Sequence, residues 1–300
     1  MPERRNAPFS PPRPRFLPPL PDVVIEPIVR LALAEDFGVA GDVTTDAVID
    51  PQSRGRWAVR ARKPGVFAGQ DVAAMTAWLV DPDILFQRVV PEGSRFEAGA
   101  TLYEIEAFDR SMMMAERVML NFLGRLCGVA TLTRAYVDAI DGTGSSIVAT
   151  RKTTPGLRAL EKRAVRLGGG GAHRYGLDDA ILIKDNHIAA AGSVSEALTR
   201  AKAACGHLMT IEVEVDSLAQ LEEALPFAPH AILLDNFTLD DLRAAVKRAK
   251  GAAVLEASGG VNLDTVRAIA ETGVDVISVG ALTHSAPALD LGLDALPANA

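Results

Sequence analysis

The second half of the chain carries a rhythm that few folds can satisfy. Six short, almost continuously apolar runs occur there: Ile147–Thr150, Ala180–Ile183, Met209–Val215, Ala231–Leu234, Ala253–Leu255 and Val274–Val279. Helical periodicity fills much of the space between them, over 193–204, 218–225, 240–250 and 264–272. Runs without polar alternation are buried on both faces, as parallel strands are, and parallel strands need helical crossovers. A doubly wound sheet and an α/β barrel both meet that demand. The run ends favour the barrel. Arg151 and Lys152, Lys184 and Asp185, Glu214 and Asp216, Asp235 and Asn236, Glu256 and Ser258, then Gly280 sit at or just past successive ends. In a barrel these ends converge on one mouth, whereas a doubly wound sheet gathers its chemistry at one switch point. Fewer than eight runs make the expected barrel an incomplete one.

A chain of 300 residues exceeds one small core and suggests two domains. Residues 1–21 hold eight of the 18 prolines and four arginines, and read as a disordered or polyproline tail. Residues 22–127 read as an N-terminal domain. A helical pattern (Val24, Ile28, Leu31, Ala32) leads through the loop Gly41–Thr45 to β-rich runs at 57–61, 65–68, 84–90 and 102–105, separated by Gly and Pro turns. Such strands occur in lipoyl and biotin carriers, but no lysine stands in a suitable hairpin. A helix over Met112–Ile140 is expected to link the domains, with the barrel over 128–285 and residues 286–300 free to pack back on the first domain.

Net charge of -7 and 5% aromatics exclude a nucleic-acid partner. No apolar run of about 18 residues suggests a membrane span. Cys127 and Cys205 have neither zinc-site spacing nor the density of a disulfide scaffold, so the expected compartment is the cytoplasm.

Against that acidic background, residues 150–175 carry seven Lys or Arg and one acid, Glu161. Arg158, Lys162, Arg163 and Arg166 are expected on the exposed face of a helix. Arg151, Lys152, His173, Arg174 and Lys184 are different, because they follow strands or end the loop Gly168–Gly171. Forked guanidinium groups and point-charge lysines suit a substrate with several anionic groups. Glu214, Asp235 and Glu256 oppose them as Mg²⁺ ligands, as stabilisers of a developing cation, or as counter-ions. Ser258, Gly259, Gly260 and Gly280 stand where barrels often bind a phosphate.

Several segments together resemble the quinolinate phosphoribosyltransferase family: 150–158 (Thr-Arg-Lys-Thr-Thr-Pro-Gly-Leu-Arg), the glycine run ending His173-Arg174, Leu182–His187, Glu212–Val215, Leu234–Phe237 and Glu256–Val261, with Gly41–Thr45, Glu116-Arg117 and Leu120-Asn121. The likeness spans about residues 24–290. It implies an α/β fold: an N-terminal α/β sandwich domain and an open, incomplete α/β barrel of about seven strands. It also implies transfer of the phosphoribosyl group of phosphoribosyl pyrophosphate to quinolinate, with decarboxylation to nicotinate mononucleotide, in NAD biosynthesis.

By that resemblance Arg151, His173 and Arg174, near Thr150, would grip the quinolinate carboxylates, and Arg117 would arrive from the partner subunit of a homodimer or higher oligomer. Lys152 and Lys184 would face the pyrophosphate. Glu214 and Asp235 would stabilise charge at the anomeric carbon and help place Mg²⁺, while Ser258, Gly259, Gly260 and Gly280, with His284, would cradle the 5-phosphate. Ala172 departs from the family, which more often has asparagine before this histidine. Competing readings are a transferase for another heteroaromatic acid, a Schiff-base lyase using Lys184, and a non-catalytic anion-binding protein.

Overall fold

The computed structural model describes residues 17–297. It opens with helices α1 (Asp22–Phe37) and α2 (Val43–Val48), strands β1 (Arg54–Ala61) and β2 (Gly65–Val66), helix α3 (Gln70–Val80), strands β3 (Leu85–Arg88), β4 (Arg95–Phe96) and β5 (Thr101–Phe108), and the long helix α4 (Asp109–Ala139). The barrel half then runs β6 (Ser146–Ala149), α5 (Arg158–Leu167), β7 (Gly171–Ala172), β8 (Ile181–Ile183), α6 (Asp185–Ala191), α7 (Val194–Ala204), β9 (Ile211–Val215), α8 (Leu218–Ala224), β10 (Ala231–Asp235), α9 (Leu239–Ala249), β11 (Val254–Ser258), α10 (Val266–Ala270), β12 (Val276–Ser278) and α11 (Ala281–His284). Strand β13 (Leu291–Leu296) closes the fold.

The chain forms two compact units. One contains Ala135–Lys152 and Gly170–Leu282; the other holds the remaining described residues, including Thr153–Gly169. In this second unit an antiparallel sheet of order β13-β1-β5-β3 buries Val59, Ala61, Leu102, Tyr103 and Ile105, with Met112, Met119 and Leu123 of α4 in the same core. Burial of the larger of those side chains favours the folded unit by on the order of 2 kcal/mol each.

Two expectations fail here. Arg163 and Lys162 are buried, not solvated. Arg163 pairs with Asp71 at 3.1 Å and Glu92 at 2.7 Å, and Glu161, fully buried, pairs with Arg125 at 2.7 Å. A charged helix can be interior when partners from neighbouring elements replace water, and this network ties α5 to the N-terminal elements. The proline-rich tail also does not reach residue 21. Pro18 O accepts from Arg163 Nη1 and Leu20 N donates to Asp71, so 17–21 are held; residues 1–16 lie outside the described residues.

The first unit holds a seven-stranded parallel sheet, order β7-β6-β12-β11-β10-β9-β8. Strands β7 and β8 are neighbours in sequence yet form its two edges, which is why the barrel is open. All six apolar runs became strands. The seventh strand, β7, escaped because its two residues, Gly171 and Ala172, end a glycine run and are too few and too small to signal a strand. A Cβ on Gly171 would stand 3.0 Å from Val148 Cγ1 on the adjoining strand, so a larger residue there requires Val148 to give by a few tenths of an ångström. Among the described residues, no helix is long and apolar enough to cross a membrane.

Candidate active site

In a parallel sheet, laterally paired residues share a face, as do residues two apart on one strand. The register pairs Leu182 with Glu212, Glu214 with Leu233, Leu233 with Glu256, and Asp235 with Ser258. Glu212, Glu214, Asp235, Glu256 and Ser258 therefore project from one face. Thr150, His173 and Lys184 are the first residues past β6, β7 and β8, so parallel strands bring them to the same end.

Lys184 Nζ lies 2.9 Å from Glu214 Oε2. The loop carrying it is fixed by its own N–H, which donates to His187 Nδ1 at 2.9 Å. Asp235 Oδ2 accepts from Asn236 Nδ2 at 2.7 Å, and Asn236, at φ +56°, turns the chain after β10. Its amide packs on the next loop: a Cβ on Gly259 would fall 2.1 Å from Asn236 Oδ1, and Gly259 itself has φ +95°. Only glycine fits a backbone at that hand and that closeness. Lys152 N donates to Thr150 Oγ1 at 3.0 Å.

Glu256 is level in register with Leu233 and Glu214, not with Asp235 at the strand end. It lies one pleat deeper than Ser258, is buried, and meets His173 and Glu212. His173 Nε2 is 2.8 Å from Glu212 Oε2 and 3.8 Å from Glu256 Oε1. Burial, then the neighbouring Glu212 carboxylate, pushes the Glu256 carboxyl up to about 7, against the pull of His173 and Ser278. Arg174 is shifted down, first by burial and then by Arg151 nearby. Arginine stays charged regardless, so the shift reflects loss of water around the guanidinium first and repulsion by Arg151 second, and a bound anion would offset both.

Arg151, Lys152, His173, Arg174, Lys184, Glu214, Asp235, Ser258, Gly259, Gly260 and Gly280 thus belong to one unit. Arg117 and His284 belong to the other. Arg117 is exposed on α4, its side chain nearest Glu116 at 3.9 Å, and exposed His284 bonds Ser285 Oγ at 2.6 Å. Reading the sequence missed Glu212, although its spacing of two from Glu214 on a strand was the available signal. It named Asn236 and His187 but gave neither a role: Asn236 packs on the next loop and His187 holds the Lys184 backbone.

The architecture and the strand-end chemistry can now be set against known proteins. Residues 129–294 match the quinolinate phosphoribosyl transferase C-terminal domain, and 42–127 its N-terminal domain. The chain belongs to the quinolinate phosphoribosyltransferase family. Within it, the chain is 47% identical over 272 residues to the nicotinate-nucleotide pyrophosphorylase [carboxylating] of Mycobacterium leprae, covering 89% of this chain and 95% of that protein. It is 41% identical to the probable enzyme of that name from Bacillus subtilis, covering 88% and 91%. The solved structure of the Francisella tularensis nicotinate-nucleotide pyrophosphorylase superposes with a TM-score of 0.89 at 38% identity, covering 93% of this chain and 98% of that one. The family fold, an antiparallel-sheet N-terminal domain and an open parallel barrel, is the fold described above.

Proposed function

We propose that this chain catalyses the reaction of its family, joining quinolinate to phosphoribosyl pyrophosphate and releasing pyrophosphate and CO2 to leave nicotinate mononucleotide. The observation that carries the reading is a two-signed site at one end of the sheet: Arg151, Arg174 and Lys184 against Glu214 and Asp235.

The adjacent guanidinium groups of Arg151 and Arg174 would take the two substrate carboxylates, with His173 behind them. Arg117, exposed on α4 beside Glu116, would be supplied by the partner subunit of a homodimer. Lys184 and Lys152 would face the pyrophosphate, and Ser258, Gly259, Gly260 and Gly280, with His284, the 5-phosphate. As the ring nitrogen bonds the anomeric carbon, the C–O bond to pyrophosphate breaks and pyrophosphate leaves with the electron pair. Glu214 and Asp235 would stabilise the positive charge that grows at that carbon. The bond from the adjacent ring carbon to its carboxylate then breaks. Its electrons stay on that carbon beside the quaternised nitrogen, CO2 departs, and a proton takes its place. Orientation by the two arginines is the main contribution of the protein to this second step.

Glu214 and Asp235 also fit Mg²⁺: they are hard oxygen donors on adjacent strands, each with one oxygen engaged, by Lys184 and Asn236 respectively. Held by Glu214 and Asp235, such an ion would supply positive charge to offset the negative charge of the leaving group. The Schiff-base reading is disfavoured, because Lys184 Nζ already donates to Glu214 Oε2 at 2.9 Å at a strand end built for a polyanion. A cytoplasmic setting is supported by the free thiols of Cys127 and Cys205.

The test is a product assay. Purified protein with Mg²⁺, phosphoribosyl pyrophosphate and quinolinate should yield nicotinate mononucleotide and an equal amount of CO2. Absence of product at saturating substrates, or preference for another heteroaromatic acid, would overturn the reading.

A further inference from the structure

Glu212 is a buried carboxylate that the reaction does not use. It stands on β9 among Ile211, Val213 and Val215, all buried, with 6% of its own surface exposed. A carboxylate in such a place costs several kcal/mol unless something compensates it, and among the described residues its Oε1 has no hydrogen-bond partner. Its other oxygen, Oε2, has one: His173 Nε2 at 2.8 Å.

The opposite side of the same ring decides the proton's position. His173 Nδ1 accepts the backbone N–H of Arg174 at 2.8 Å. A nitrogen that accepts carries no proton, so the neutral ring bears its proton on Nε2, where it points at Glu212. Glu256 Oε1, at 3.8 Å, is beyond hydrogen-bond range of that nitrogen. The result is a strut from the Glu212 carboxylate through the imidazole to the main chain of Arg174. A second tether holds the far end, since Arg174 Nη1 donates to Ala180 O at 3.0 Å. The same assignment argues against a cation among His173, Glu212 and Glu256, although their ligand atoms lie within 4.8 Å of one another. Nε2 would have to give up its proton to become a ligand.

We propose that Glu212 is a positioning residue for the dicarboxylate subsite: by accepting the Nε2–H of His173 it fixes the ring's tautomer, leaves Nδ1 to hold the Arg174 backbone, and so aims the Arg174 guanidinium. This rests on the reading that Arg174 binds a substrate carboxylate.

Steady-state kinetics and ¹⁵N-histidine NMR on the full-length protein test it. Glu212→Ala removes the acceptor and should raise KM for quinolinate ~10-fold, the worth of one hydrogen bond to a charged group, with KM for phosphoribosyl pyrophosphate little changed. Glu212→Gln keeps an acceptor oxygen and should restore most of the quinolinate affinity. In a His173→Ala background, Glu212→Ala should add nothing further, because the effect passes through the ring. NMR should show His173 as the Nε2–H tautomer in the wild type and in Glu212→Gln.

The proposal is overturned if Glu212→Ala raises both KM values alike, if its effect persists without His173, or if wild-type His173 is the Nδ1–H tautomer. Should Glu212→Ala fail to fold, the wild-type tautomer and Glu212→Gln still decide. A wild type without product refutes the proposed reaction instead, while the NMR result still judges the strut.

Discussion

Lys184 Nζ stands 2.9 Å from Glu214 Oε2 across the neighbouring strands β8 and β9, joining the site's cationic and anionic halves at one point. The lysine side chain is 48% exposed and the glutamate 14%, so the pair is open to an incoming anion. Exposed pairs add at most about 1 kcal/mol to stability. Lys184→Met should therefore barely move the melting temperature, yet lower kcat/KM by ~100-fold if the ammonium meets the pyrophosphate in the transition state. Equal losses in stability and turnover would argue for a structural role.

Gly259 and Gly260 differ in a testable way. A methyl on Gly260 meets open space and pays only for φ +60°, whereas one on Gly259 meets Asn236 Oδ1 at 2.1 Å as well as φ +95°. Denaturant unfolding should show Gly260→Ala costing about 1 kcal/mol and Gly259→Ala clearly more. The latter should also weaken binding of phosphoribosyl pyrophosphate in titration calorimetry.

The raised carboxyl of Glu256 makes stability depend on pH. Its folded value of about 7 lies above the ordinary 4.5, so the folded state holds the proton more tightly. The stability this confers is complete below about 4.5 and is lost as pH climbs through about 7. Glutamine is neutral throughout. Melting curves from pH 5 to 8 should show Glu256→Gln gaining on the wild type as pH rises, and a constant difference would count against the assignment.

Glu161 accepts from Arg125 Nε and Nη2 and from Thr154 N and Oγ1, all from a fully buried position. Glu161→Ala strands the buried ends of those donors and should cost about 3–5 kcal/mol. Glu161→Gln, which keeps acceptor capacity, should cost less. Urea unfolding of the two variants measures the difference.

A shared site predicts complementation. Arg117→Ala and Lys184→Ala chains, each impaired alone, should recover part of the activity when co-refolded into mixed dimers. No recovery in verified heterodimers would mean that each chain is self-sufficient.

Local chemistry made much of this legible. Apolar runs such as Ala231–Leu234 cannot be solvated, and the polar residues at the run ends marked Lys184, Glu214 and Asp235 before any coordinates were needed. What stayed hidden depended on groups far apart in the chain. Lys162 and Arg163 read as surface charges because Asp71 and Glu92, the partners that let Arg163 be buried, come from distant segments. Strand β7 has no side-chain pattern, and its pairing with β6 is a matter of backbone approach. Glu256 read as a strand-end acid, but the strand runs on to Ser258 and leaves it inside, against His173 and Glu212. By itself the sequence determined the family, six of the seven barrel strands and the inventory of charges, since these follow from periodicity and residue type. Tertiary structure alone decided which charges are buried, which partner each one meets and where the His173 proton sits, because these depend on distances that no single segment contains.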